Sequence, residues 1–340
     1  MATDETAPVV PDPVDRLLLD ELGDLPSGRI AVIGDDRGDL AAAVADRAQG
    51  EVVAHSDSIV SERRVAAAGV DAVPDLTTAL TGAELVVLRL PTSLDALDEI
   101  ARTAAIIGAP AVRIAAGARV KHMTTSMNAV LGASFEQVSA SLGRQKSRVL
   151  HACGRKSVEQ KWPRSRHHDD LDLTVHAHGA AFAGTKVDAG TALLIGQLPQ
   201  LADTDGTVVD LGCGTGILAA LLRRRFGDVV ASDVSAAAVA STRLTTQGAI
   251  DVRRCEGLTD FADASVAAIV SNPPFHIGAA KDSTPTLEMI ADAGRVLAPG
   301  GEMMLVYNAH LPYLPRLRDL GPTEILVRDR HYLVTRTVRT

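Results

Sequence analysis

Cysteine is scarce: Cys153, Cys213 and Cys255 are the three in 340 residues. They have no metal-ligand spacing and make no even framework. That excludes a disulfide-stapled scaffold or a cysteine zinc module, and it suits a reducing cytosol. No apolar run is long enough for a membrane span. The opening stretch, MATDETAPVVPDP, is acidic and proline-rich. It reads as a frayed tail, not as a secretory signal. Positive charge is also in deficit, with a net charge of −8, which argues mildly against nucleic acid if the chain is taken as a whole. What is present is an ordinary globular composition, 46% hydrophobic and 22% charged, at a length comfortable for two domains. The expectation is a cytoplasmic protein with no membrane and no metal partner.

Two short motifs carry the chemistry. The first is Asp210-Leu211-Gly212-Cys213-Gly214-Thr215-Gly216. Val208 to Leu211 reads as a buried strand and Ile217 to Phe226 as a helix with an apolar face. Gly212, Gly214 and Gly216 between them permit a sharp turn and let a ligand approach the backbone. An acid precedes the first glycine and the spacing is G-x-G-x-G. A carboxylate there suits a cationic ligand group and would repel a pyrophosphate, which disfavours a dinucleotide-dependent oxidoreductase. Val229 to Asp233 reads as the next strand. Its terminal acid lies about twenty residues beyond the glycines, where it can bind ribose hydroxyls.

The second motif is Asn272-Pro273-Pro274-Phe275, at the carboxyl end of a strand read at Ala267 to Ser271. That is the edge where open α/β sheets bind ligands. The prolines fix their own φ and restrict the residue before each, so the Asn272 amide has a defined aim. The Asn272 side-chain oxygen and the Pro273 carbonyl can each accept one N–H of an exocyclic amine. Phe275 offers a flat face on which a base can stack. Together the motifs describe a site that holds a nucleotide-like cofactor and receives a planar amine.

Charge is segregated. From Ser141 to His168 stand Arg144, Lys146, Arg148, Arg155, Lys156, Lys161, Arg164 and Arg166 against Glu159 alone, a net of +7 that leaves −15 for the rest. Such a stripe is a footprint for phosphate binding, or else a solvated linker. Trp162 and His167-His168 in the same stretch can stack on bases or pack between domains.

The first half reads as a worn copy of the second. Arg29 to Gly34, Val52 to Asp57 and Glu84 to Pro91 read as strands, and Leu40 to Ala48 as a helix. Gly34-Asp35-Asp36-Arg37-Gly38 lacks the three-glycine spacing, and Leu90-Pro91 has no amide to hold an amine. Gly117 to Met123 is expected to close that domain. Later in the chain, Pro285 to Leu297 reads as a helix stopped by Pro299-Gly300-Gly301. Glu302 to Tyr307 reads as a strand, and two strands around Arg328-Asp329-Arg330-His331 read as a closing hairpin.

On these motifs the chain resembles the class I S-adenosylmethionine-dependent methyltransferases that act on amines. With Ala181 to Gly190 and Val306 to Tyr313 added, it is similar to the bacterial ribosomal RNA guanine-N2 methyltransferases of both subunits. Met127 to Leu131 and Arg144 to Arg148 look somewhat closer to the large-subunit enzymes. The chain departs where that family has Phe-Ser-Arg and this sequence has Phe182-Ala183-Gly184.

The resemblance implies two tandem Rossmann-like α/β domains. The C-terminal one has a seven-stranded sheet with a closing antiparallel hairpin, and the N-terminal one is degenerate. The expected division is a tail over 1–13, the degenerate domain over 14–153, a basic linker over 154–170 and the catalytic domain over 171–340. The resemblance further implies that Phe182, Asp210, Gly212, Gly214, Gly216, Asp233, Cys255 and Glu256 border S-adenosylmethionine. Asn272, Pro273 and Phe275 would hold the target base. The charge segregation, apart from the resemblance, makes the eight cations of the stripe the expected RNA contacts. Ribosomal RNA or a ribosomal subunit is then the partner, with a monomer compatible and oligomeric state open. Alternatives are adenine N6 or a protein glutamine amide as the methylated group, or a non-catalytic RNA-binding assembly factor.

Overall fold

The structure, a computed structural model, describes residues 12–273 and 284–340. The chain divides into two compact units, Met1–Trp162 and Pro163–Thr340.

In the first unit the strands are β1 (Ile30–Ile33), β2 (Val52–His55), β3 (Asp71–Ala72), β4 (Leu85–Arg89), β5 (Arg113–Arg119), β6 (Phe135–Ala140) and β7 (Ser147–Arg155). They form one sheet in the order β3-β2-β1-β4-β5-β7-β6. The first five run parallel, and β7 is antiparallel to both β5 and β6. All four residues of β1 are buried, as a central parallel strand with both faces covered requires. The helix Pro13–Glu21 starts with a proline, and Asp12 caps it by accepting from the Val14 N–H at 2.8 Å. Its Leu17 and Leu18 are buried.

The stretch Gly117 to Met123 does not close this unit. The chain continues through the helix Thr125–Ser134 into the β6–β7 hairpin. In β7, Ser147, Val149 and Ala152 point inward while Arg148 and Cys153 are exposed. The outward cations hide the alternation of a half-buried strand, so a folded hairpin reads in the sequence as a charged stripe.

The second unit opens with an antiparallel ribbon of β8 (Arg164–His168) and β9 (Leu173–Ala177). Its main sheet contains β10 (Val208–Leu211), β11 (Val229–Asp233), β12 (Asp251–Arg254), β13 (Val266–Ser271), β14 (Leu297–Asn308), β15 (Thr323–Arg328) and β16 (Tyr332–Val338). The order is β12-β11-β10-β13-β14-β16-β15, which repeats the first sheet strand for strand. The antiparallel hairpin β15–β16 closes it, as expected.

One strand boundary differs from the sequence reading. β14 begins at Leu297, before the Pro-Gly-Gly stop, and its register with β13 jumps from Val266↔Leu297 to Ala268↔Glu302. Residues 298–301 therefore bulge from the ladder, because Pro299 has no N–H to give it.

The first unit yields a packing test. A Cβ on Gly117 in β5 would lie 2.7 Å from Leu18 Cγ, so the helix Pro13–Glu21 sits directly on bare backbone. Gly117→Ala is expected to destabilise the protein by about 1–3 kcal/mol through overpacking. The loss should shrink in a Leu18→Ala background. Urea unfolding of the double-mutant cycle checks this, and additive losses would refute the contact.

Candidate active site

The parallel register brings the two motifs to one sheet edge. Leu211 at the end of β10 is opposite Ser271 at the end of β13 and Ser232 in β11. Ser271 Oγ donates to the Leu211 carbonyl at 2.7 Å, tying the two strand ends together. The chain then turns through the glycines, with the N–H groups of Gly212 and Cys213 both donating to Ser232 O. Gly212 and Gly214 have φ of +74° and +55°, and a Cβ on either would meet nothing within 4 Å. They line an open cradle of bare backbone. Gly216 has φ +78°, and a Cβ there would lie 2.9 Å from Thr242 Cα. Only glycine lets this turn pack on the helix Ala236–Thr245.

The acidic residues take different places. Asp210 is fully buried beneath the turn and not on the pocket wall. Its Oδ2 accepts from the Ala219 N–H at 2.8 Å, in the first turn of the helix Ile217–Arg223, while its Oδ1 has no partner among the described residues. Burial pushes its carboxyl up to about 7, against the hydrogen bond from Ala219. Asp233 stands half-buried at the end of β11. Its Oδ2 accepts from the Gly214 N–H at 3.0 Å and its Oδ1 from the Ser235 N–H at 2.9 Å. It therefore braces the glycine turn whatever else it binds. Cys255 is core, packed with Val230, Leu258 and Phe261, whereas Glu256 is exposed beside it. Cys213 is buried, and burial drives its thiol well up, so it is an inert filler.

Phe182 and Lys186 line the same pocket as Gly212 and Gly214, with Phe182 67% exposed. The β8–β9 ribbon positions this segment. The N–H groups of His176 and His178 donate to Thr245 Oγ1 and Ser241 Oγ, one turn apart on the helix Ala236–Thr245. His168 Nε2 makes a 2.7 Å contact with the Thr185 carbonyl.

Asn272 has a companion that the sequence reading missed. Its Nδ2 lies 3.2 Å from both carboxylate oxygens of Asp188 and 3.0 Å from Thr191 Oγ1. Asp188 is at the same time the N-cap of the helix Ala189–Gln197, accepting from the Gly190 and Thr191 N–H groups. The signal was present as Asp188-Ala189-Gly190-Thr191, an acid capping a helix start. Pro273 is buried next to Asn272. Phe275 lies outside the described residues.

The basic residues are divided between the two units. Arg144, Lys146 and Arg148 belong to the β6–β7 hairpin of the first unit, and Arg164 and Arg166 to β8 of the second. Arg144 pairs with Asp20 at 3.2 Å and Glu21 at 3.6 Å. Arg155 donates to Gly108 O and Lys156 to Gly132 O. Lys146, Arg148, Lys161, Arg164 and Arg166 are exposed. Trp162 does not stand out in solvent to stack on a base. It is buried in the first unit, and its Nε1 donates to Asp98 at 2.9 Å. Among the described residues no group of three His, Cys, Asp or Glu is placed to hold a metal, and no helix is long and apolar enough to cross a membrane.

The equivalent edge of the first unit is filled by its own side chains. Asp35 accepts from the N–H groups of Arg37, Gly38 and Ala41. Arg89, ending β4, reaches the buried Asp15, which Arg37 also meets at 3.2 Å. Among the described residues of that edge, no side-chain amide stands where Asn272 does, and Leu90-Pro91 follows the strand instead.

Residues 172–336 match the family described as Methyltransferase small domain, and residues 12–156 match the RLMG N-terminal domain. The chain is 32% identical over 338 residues to the ribosomal RNA large subunit methyltransferase G of Streptomyces avermitilis, covering 92% of this chain and 88% of the relative. It is 29% identical over 346 residues to the enzyme of the same name from Klebsiella pneumoniae, covering 96% and 90%. A T. thermophilus 16S rRNA N2 methyltransferase, solved with AdoMet and guanosine, has a similar fold. Its TM-score is 0.79 at 24% identity, over 97% of this chain and 92% of that one.

Asp210 gives a pH test. Its carboxyl is raised in the folded state, so its contribution is complete below the unfolded value near 3.8 and is lost as pH rises to about 7. That loss is at most ~4 kcal/mol. Asp210→Asn should flatten this part of the stability profile between pH 4 and pH 7, measured by urea unfolding across pH. An unchanged slope would refute the buried, protonating carboxyl.

Proposed function

We propose an activity on a plain premise: the chain belongs to the ribosomal RNA large subunit methyltransferase G family. It is an S-adenosylmethionine-dependent methyltransferase, and its C-terminal unit methylates the exocyclic N2 amine of a guanine in large-subunit ribosomal RNA. The observation that carries this reading is the Asn272 side-chain oxygen, buried at the sheet edge and without a partner among the described residues. A buried acceptor left unmatched is costly unless a ligand completes it.

The residues fit the cofactor. Gly212 and Gly214 leave room at the backbone, Asp210 keeps an orphaned oxygen beneath the turn, and Asp233 offers a half-exposed carboxylate at the end of β11. Gly212, Cys213, Gly214 and Phe182 would hold the methionine part, Asp233 the ribose, and the Cys255-Glu256 backbone the adenine. S-adenosylmethionine supplies, when bound, a methyl group made electrophilic by its positive sulfur.

The protein's own contribution is at the amine. Asn272 Oδ1 accepts one of its hydrogens and the Pro273 carbonyl the other, which draws the nitrogen lone pair out of conjugation with the ring. The nucleophile improves without a strong base, and the proton that the methylated nitrogen sheds passes to water. Most of the remaining rate comes from positioning. The base must be unpaired or flipped out, since a paired amine is unreachable. Exposed Lys146, Arg148, Lys161, Arg164 and Arg166 supply phosphate contacts, and the first unit serves as a non-catalytic docking domain.

The test is transfer of labelled methyl to isolated ribosomal subunits and naked ribosomal RNA, followed by nucleoside analysis. N2-methylguanosine confined to the large-subunit RNA is the expected result. Label in ribosomal protein alone, or in no RNA at all despite cofactor binding, would overturn the reading. Asn272→Ala should lower turnover by about 10²–10³-fold, as loss of an active-site hydrogen bond does, while cofactor affinity by calorimetry persists. Separately, Asp233→Ala should weaken cofactor affinity by at least tenfold, and unaltered binding would refute its ribose role.

A further inference from the structure

Asn272 is useful as an acceptor only if its amide is held with the oxygen turned away from the protein's own neighbouring groups. An asparagine amide is nearly symmetric in shape and can sit either way round, so its orientation is set by its hydrogen-bond partners. Those partners are unusually decisive here. The Asp188 carboxylate can only accept. The Thr191 hydroxyl gives its single proton to Asp188 Oδ2, at 2.5 Å, and so can only accept from Asn272. Both groups facing the amide on that side are therefore acceptors, and the NH₂ must point at them. The oxygen is turned the other way, where it has no partner among the described residues.

Gly190 completes the seat. A Cβ there would lie 3.0 Å from Asn272 Oδ1 and 3.2 Å from Nδ2, so the amide rests on bare backbone. The carboxylate is itself fixed by the helix start, accepting from Gly190 N at 2.9 Å and Thr191 N at 3.3 Å.

We infer that Asp188, with Thr191 and Gly190, is a positioning clamp that fixes the Asn272 amide in the orientation able to receive the substrate amine. The clamp rests on the reading of Asn272 as the amine's acceptor. Asp188 acts through Asn272 and through no direct contact with the reacting atoms.

Asp188→Asn separates this role from helix capping, because asparagine caps a helix as well as aspartate does. In the variant the new side chain turns its oxygen to the helix N–H groups and its NH₂ toward Asn272. Asn272 must then flip, offering two donors to an amine that also donates. The expected result is a fall in kcat of at least ~10²-fold, with thermal unfolding and calorimetric cofactor Kd close to those of the parent. In ¹⁵N spectra of the free protein, the Asn272 side-chain NH₂ signals should be downfield and slow to exchange, and should lose both properties in Asp188→Asn. Thr191→Val should lower kcat by about tenfold, and Thr191→Ser should regain most of that loss.

Full kcat in Asp188→Asn, or unmoved NH₂ signals, would overturn the clamp. A kcat loss explained entirely by weaker cofactor binding would make Asp188 a cofactor ligand and would equally overturn it. Activity retained in Asn272→Ala would instead remove the acceptor reading itself, so the two failures are distinguishable.

Discussion

The site depends on the parallel ladder between β10 and β13. With Leu211 paired to Ser271, each strand delivers its next residue to the same edge. One chain continues into the glycine turn and the other into Asn272. On the proposed reading neither motif works alone: the turn would hold a cofactor with nothing to methylate, and the amide an amine with no methyl donor. The two motifs are about sixty residues apart in the chain, and the hydrogen bonds of one strand pair abolish that separation. A slip of one residue would turn every side chain of β13 to the opposite face.

The edge is then refined by groups that each serve two neighbours. Asp233 ends β11 and braces Gly214. Asp188 starts a helix and grips Asn272. Ser241 and Thr245 belong to a helix yet satisfy the open edge of β9. Shared groups of this kind make the pocket stiff, because a side chain held from two sides cannot relax toward one. Stiffness would suit the proposed reaction, in which the protein's task is to aim an amine and a small misplacement costs a large factor in rate.

The two halves make an instructive comparison, since they share one strand order. In the second unit the edge keeps polar atoms unmatched: Asp210 Oδ1 and Asn272 Oδ1. In the first, Asp35 is saturated by three backbone N–H groups and Asp15 by two guanidinium groups. At that edge the described acidic groups are already occupied by the protein's own donors. Both units bury a core of apolar strands in the same order, and they differ at a few residues at the turns.

Much of this was legible in the chain. The strands β1, β2, β4, β10, β11 and β13 are short β-branched and apolar runs whose burial on both faces makes them conspicuous, and the glycine and Asn-Pro-Pro motifs mark their ends. Other features could not be read there. The β6–β7 hairpin carries its cations outward and so read as part of a basic stripe, not as strands. Trp162 looked available for stacking until its indole N–H was found on Asp98. The sequence by itself determined which residue types stand at the strand ends, because local periodicity and backbone restriction are properties of neighbours in the chain. Only the tertiary structure decided which way round the Asn272 amide sits. That orientation is set by Asp188 and Thr191, which stand more than eighty residues away and meet it only once the sheet has formed.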